Sequence, residues 1–263
     1  MGMVALLVVL VAVVTLYAYY YSRWKHLWTL ESPRSPYTVA AVTDDSLRVV
    51  MIGDSWVGMR RQYDVDSMLA SQLSRLCGCK ATVTSCGRGG EKTRGIYHLM
   101  FNSGDYGTRP LLSAGAHYCV IVAGINDAAA CLGTRQYVYY YRQIIDFLVG
   151  NRIRPVIVEI PDVDIWHLYG SKPAYNLLSD FVKSTMSGCR MYSYRGYREA
   201  LRRMLDDEPL AGKVVLVGME DWNNGSPAID EKLFLTDRIH LNLQGYQRLD
   251  ASIARAIAAD VSR

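Results

Sequence analysis

The stretch Val49-Val50-Met51-Ile52-Gly53-Asp54-Ser55 decides the fold. Residues 47–52 are almost all apolar and do not alternate with polar ones, which is the pattern of a strand covered on both faces. The run stops at a glycine, and a carboxylate and a hydroxyl follow at once. Similar runs recur at 81–85, 118–122, 155–160 and 213–217, the one at 155–160 stopped by Pro161. Amphipathic stretches at 68–76, 135–149, 174–185, 194–205 and 242–259 lie between or after them. Strand alternating with helix predicts an α/β domain, a parallel sheet with helices on both faces. Right-handed crossovers then bring every strand's C-terminal end to one edge, where ligands bind. No repeat of 20–50 residues is visible.

That edge is where the polar residues fall. Ser55 follows the first strand, Gly87-Arg88-Gly89-Gly90 the second, and Gly124-Ile125-Asn126-Asp127 the third. Asp237-Arg238-Ile239-His240 precedes the final helix and is expected over the same edge. A serine hydroxyl is a weak nucleophile until a base takes its proton. An imidazole does this best when a carboxylate holds its other ring nitrogen. Ser55, Asp237 and His240 are the candidates for these roles. Each block alone has a plainer reading: Ser55 as a helix cap, Gly87–Gly90 as a positive-φ loop, Asn126 as a turn residue, and Asp237 and His240 as surface residues. Their ordered occurrence at strand ends favours chemistry. No G-x-S-x-G surrounds any serine, so the α/β-hydrolase nucleophile elbow is absent. Neither G-x-G-x-x-G nor G-x-x-x-x-G-K-[ST] occurs, so a phosphate cradle lacks support.

Together, Gly53-Asp54-Ser55, the glycine loop ending at Gly90, Gly124-Ile125-Asn126-Asp127 and Asp237-Arg238-Ile239-His240 resemble the SGNH (GDSL-type) hydrolases. The resemblance covers residues 47–258. It implies a three-layer α/β/α, flavodoxin-like fold with five parallel strands. It also implies Ser55 as nucleophile, His240 as base and Asp237 as its orienting partner. The implied oxyanion hole is made by the Ser55 and Gly90 backbone N–H groups and the Asn126 side chain. There are two departures: Trp56 stands where the family often has Leu, and Ser85 where Asn is frequent. Members cleave esters and thioesters, some on O-acetylated sugars, and some transfer acyl groups. The stretches Met51–Trp56 and Arg154–Pro161 also look like bacterial members associated with surface polysaccharide. The expectation is a serine esterase acting on a small acyl ester, such as O-acetyl on a carbohydrate, with no cofactor or metal. The alternatives are a glycan acyltransferase using the same site, a lipase or thioesterase, and a non-catalytic glycan-binding module.

Composition agrees with a folded domain. Of 263 residues, 50% are hydrophobic and 21% charged. The net charge of +4 arises from scattered residues without a basic stripe interleaved with aromatics, so nucleic acid is not an expected partner. The six cysteines form no C-x-x-C pair, which argues against zinc. Disulfides and lone thiols both remain open, and Cys119 lies in an apolar run. His98, His117 and His167 lack a suitably spaced carboxylate. Tyr137, Tyr139, Tyr140 and Tyr141 read as a packed helix face, and Trp166 and Trp222 as candidates for a substrate groove.

Residues 3–21 carry no charge and would span roughly 28 Å as a helix, about a bilayer's hydrocarbon thickness. Tyr17, Tyr19, Tyr20, Tyr21, Trp24 and Trp28 cluster at the far end, where an interface would hold them. There is no basic start and no small-residue cleavage site, so an uncleaved anchor is favoured over a signal peptide. Arg23 and Lys25 favour a cytoplasmic domain. Long domains translocate largely regardless of charge, and an even number of cysteines suits an oxidising compartment. An exported domain is the adopted expectation. The expected organisation is an anchor over 1–28, a linker over 29–46, and the hydrolase domain over 47–263.

Overall fold

The computed structural model describes residues 2–161, 163–207, 210, 212–222 and 230–263. They fall into two units, Met1–Ser32 and Pro33–Arg263. The first is helix α1 (Gly2–Trp28), about 40 Å long at 1.5 Å per residue. With a mean hydropathy of 2.4 over an 18-residue stretch, it is long and apolar enough to cross a bilayer.

In the second unit, β1 (Leu47–Gly53) leads into the one-turn helix α2 (Ser55–Gly58), a 3₁₀ turn (Met59–Gln62) and α3 (Val65–Cys77). Then come β2 (Ala81–Gly87), α4 (Thr93–Leu99), α5 (Arg109–Ser113) and β3 (Tyr118–Val122). The chain continues through α6 (Ile125–Ala129), α7 (Thr134–Gly150), β4 (Arg154–Val158), α8 (Ile165–Tyr169) and α9 (Ala174–Ser187). It closes with α10 (Arg195–Leu205), β5 (Val215–Val217), α11 (Met219–Trp222) and α12 (Leu243–Val261). The sheet is parallel, in the order β2-β1-β3-β4-β5. α3 and α12 pack together on one side, and α4, α7 and α10 on the other. This is the expected three-layer fold.

The sequence pattern is realised closely where burial is two-sided. Every residue of β3 is buried, and its bounds match the apolar run. β4 ends at Val158 rather than at 160, and the edge strand β5 is only three residues long. The short helices α2, α4, α5, α6, α8 and α11 were not foreseen, since one or two turns carry no periodic signal. Tyr137, Tyr140 and Tyr141 are buried on α7, with Tyr137 and Tyr141 in edge-to-face contact. His117 has a structural role: its Nδ1 accepts the Arg48 backbone N–H at 3.1 Å. All six cysteines are free thiols, and Cys119 is fully buried.

The expected linker differs from the structure. The second compact unit starts at Pro33, within the stretch expected as a linker. Tyr37 packs against Phe101 and Phe147, the Arg34 N–H donates to Tyr97 Oη, and the Ala40 N–H donates to the Ser113 carbonyl. Pro33 and Pro36 lie in a stretch without helix or strand. Tyr37 and Val39, which follow them, pack against the core, Tyr37 beside Phe101 and Phe147.

Candidate active site

Three strand ends lie side by side. Gly53 of β1 pairs with Gly87 of β2 and with Val122 of β3. The segments after them, Asp54-Ser55, Arg88–Glu91 and Ala123–Asn126, are therefore neighbours in space. Gly53 is required by close approach: a Cβ there would collide with the Val122 carbonyl and the Val57 side chain. Asp54 caps α2, its carboxylate accepting the Trp56 N–H at 3.0 Å, which presents Ser55 at the first helical position. Gly90 has φ +76°, a left-handed value that suits glycine. Gly124, at φ +123°, starts α6 and sets Asn126 on its first turn.

The Asp237–His240 turn is built by its own carboxylate. Asp237 Oδ1 accepts the backbone N–H groups of Ile239 and His240, both at 2.9 Å. This closes a tight turn with Arg238 in the left-handed region. Asp237 Oδ2 lies 2.6 Å from His240 Nδ1, and His240 Nε2 lies 2.9 Å from Ser55 Oγ. A hydroxyl and an imidazole 185 residues apart thus meet over the sheet edge. Burial raises the Asp237 pKa, but the hydrogen bonds from the His240 side chain and from the two backbone amides outweigh it and hold it below the usual carboxylate range.

The third strand end supplies Asn126. Its Nδ2 donates to the Glu91 carbonyl at 2.9 Å and to Asp54 Oδ2 at 3.3 Å. Among the described residues, the Ser55 and Gly90 backbone N–H groups have no protein acceptor. The structure therefore brings together all five residues singled out in the sequence.

It also shows supporting residues that the sequence did not reveal. The Trp56 indole N–H donates to the Ile239 carbonyl at 2.9 Å, tying the serine's helix to the histidine's turn. Tyr246 Oη donates to the Trp56 carbonyl at 2.9 Å and adds α12 to the same linkage. Arg60 makes two bonds to Asp250, at 2.8 and 3.0 Å, with both side chains buried. Asp66 joins them through Arg60 Nε at 2.6 Å and also accepts the Ser85 hydroxyl, which occupies the departure at 85. Two further carboxyls lie beneath the site. Burial pushes Asp54 up to about 7, against the Trp56 N–H. Burial pushes Asp127 up to about 6, against the Thr93 N–H and hydroxyl. Trp56 was visible as an unusual residue, but a buried indole bonding across 183 positions leaves no local pattern. Of the groove candidates, Trp166 is 51% exposed on α8. The Trp222 side chain lies outside the described residues.

A five-stranded parallel sheet in this order, with a serine, a glycine loop and an asparagine at adjacent strand ends, defines an SGNH-type α/β hydrolase fold. Residues 51–248 match the profile of the GDSL-like Lipase/Acylhydrolase family, and the chain belongs to that family. Solved structures agree on the fold. The lipase/acylhydrolase from Enterococcus faecalis is 14% identical with a TM-score of 0.55, over 81% of this chain and 96% of that one. The psychrotrophic esterase EstA from Pseudoalteromonas sp. is 13% identical with a TM-score of 0.55, over 84% and 100%. A GDSL-like lipase from Bacteroides thetaiotaomicron is 16% identical with a TM-score of 0.53, over 92% and 98%. No curated protein sequence matches the chain.

Proposed function

We propose that this protein is a membrane-anchored serine esterase that removes a small acyl group, such as O-acetyl on a carbohydrate. The 2.9 Å contact between Ser55 Oγ and His240 Nε2 carries the reading. Ser55 attacks the ester carbonyl as His240 Nε2 takes its proton. Asp237 holds Nδ1–H and balances the imidazolium charge. The oxyanion is met by the Ser55 and Gly90 N–H groups and by Asn126 Nδ2, which gives up its longer 3.3 Å bond to Asp54. His240 then protonates the leaving alkoxide. Water, activated by the same imidazole, attacks the acyl-Ser55 ester and releases the acid. No step calls on a metal or organic cofactor.

The anchor is α1, retained rather than cleaved, with its aromatic end at the interface. Support comes from its length, its hydropathy and the aromatic cluster at residues 17–28. The test uses the full chain in nonionic detergent with 4-nitrophenyl esters from acetate to palmitate. Rapid acetate hydrolysis, lost in Ser55→Ala, is expected. Equal turnover by Ser55→Ala refutes the nucleophile, and preference for palmitate refutes the small-acyl assignment.

A further inference from the structure

A cavity of about 490 Å³ opens on the side of the Arg88–Glu91 loop that faces α4 and α5. Three arginines from separate parts of the chain line it: Arg34 from the segment before β1, Arg88 from the glycine loop, and Arg109 from the start of α5. His98, Asn102 and Ser103 add polar groups to the wall. One carboxylate, Glu91, is present, and Arg88 pairs with it at 3.0 Å. Among the described residues, Arg34 and Arg109 have no carboxylate partner. Each is held against an aromatic ring instead: Arg34 lies 5.8 Å from the Phe101 ring centre and Arg109 4.9 Å from that of Tyr37.

Free surface arginines are usually mobile and solvated, and ordering them costs side-chain entropy. Two guanidinium groups already lying over aromatic rings have lost part of that freedom before any ligand arrives. Their remaining N–H donors form a fork that suits a planar carboxylate or a phosphate. The cavity also adjoins the chemistry. The Glu91 carbonyl that faces the site accepts from Asn126 Nδ2, and a Cβ on Gly89 would lie 3.9 Å from Ser55 Cβ.

We infer that this arginine-lined cavity is a subsite for an anionic group on the alcohol part of the ester substrate. The inference rests on the esterase reading above and narrows it to esters of negatively charged alcohols. The polar wall suits a hydroxylated, charged unit better than an acyl chain. The anion is the carboxylate of an acidic sugar or the phosphate of a headgroup.

The full chain in nonionic detergent is titrated calorimetrically with trigalacturonate, neutral galactotriose and glycerol phosphate. The same titrations are run on the double variant Arg34→Ala/Arg109→Ala and on Arg34→Lys/Arg109→Lys, which keeps the charge. Binding of one anion but not of galactotriose, at least about tenfold weaker in the alanine variant and partly restored by lysine, is the expected result. The anion that binds identifies the source. In the wild type it should also raise the KM for 4-nitrophenyl acetate without lowering kcat, and the alanine variant should keep wild-type kcat/KM for that neutral ester. Equal binding of galactotriose, undiminished anion binding by the alanine variant, or no effect of bound anion on KM overturns the inference. Failure to turn over any ester refutes the esterase reading alone, because the binding titrations do not need turnover.

Discussion

Asp237→Asn separates what this carboxylate does for the fold from what it does for the chemistry. Asp237 accepts three hydrogen bonds: two from backbone amides through Oδ1 and one from His240 Nδ1 through Oδ2. An asparagine keeps Oδ1 and both turn-closing bonds, so the loop should retain its shape. Its Nδ2 carries hydrogens where the wild type has an acceptor. Facing that donor, His240 must present an unprotonated Nδ1, and its ring proton moves to Nε2, 2.9 Å from Ser55 Oγ. The imidazole then cannot take the serine proton. To react, the ring must return to the other tautomer and leave two N–H groups opposed where a 2.6 Å charge-assisted bond had been. The loss of kcat should be on the order of 10³–10⁴, equivalent to about 4–5.5 kcal/mol of barrier. Melting should shift by only a few degrees, since less than about 1 kcal/mol of folding energy is involved. Asp237→Ala is the contrast: it also removes the acceptor for both backbone amides and should cost an additional ~1–2 kcal/mol of stability. The assay is 4-nitrophenyl acetate hydrolysis beside thermal unfolding followed by circular dichroism. An Asp237→Asn protein within tenfold of wild-type kcat would refute the assigned role.

Three other outcomes are expected. Asn126→Ala should lower kcat by about 10²–10³ with little change in KM, as for one lost oxyanion donor; steady-state kinetics check it, and an unchanged kcat removes Asn126 from the hole. Asp250→Ala leaves the Arg60 guanidinium buried with only Asp66, and should destabilise the fold by about 3–5 kcal/mol in urea unfolding; a cost below 1 kcal/mol would mean that water reaches the site. The pH dependence of stability has a definite sign. Folding raises Asp54 from 3.8 to about 7 and Asp127 from 3.8 to about 6, so the folded state holds protons that the unfolded chain has released. Stability should therefore fall as pH rises from about 4 to about 7. Urea midpoints at pH 5 and pH 8 test this, and a higher midpoint at pH 8 contradicts it. Asp237 runs the other way, its contribution present above pH 3.8 and lost as pH falls through its lowered value.

The central fold was legible because two-sided burial writes itself into consecutive residues. β1 and β3 could be read almost to the residue, and the helices after them from their apolar spacing. The rule that parallel strands present their C-terminal ends at one edge places Ser55, Gly90 and Asn126 together. What escaped was of two kinds. One-turn helices such as α2 and α6 are fixed by a cap or a positive-φ glycine and have no period to detect. The links that hold the site rigid, Trp56 to Ile239, Tyr246 to Trp56 and Arg60 to Asp250, join residues 183 to 190 positions apart. A single sequence carries no trace of such pairings. Tyr37 and Val39 were hidden by the prolines beside them, which mark a bend but do not say whether the bent segment is packed.

The sheet order has a consequence for how such a protein can change over generations. Everything proposed to touch the reacting carbonyl comes from the ends of β1, β2 and β3 and from the turn before α12. The excursion after β4 is held to that turn by a 3.6 Å contact between Asp164 and Arg238, and it displays Trp166, Tyr175, Leu178 and Phe181 to the outside. Substitutions at these exposed side chains leave the strand ends that carry the nucleophile in place, and of the four Trp166 also packs edge-to-face on the buried Tyr192. One half of the sheet can thus keep strict geometry while the other drifts, so a lineage could acquire a new preference for its substrate without rebuilding its chemistry.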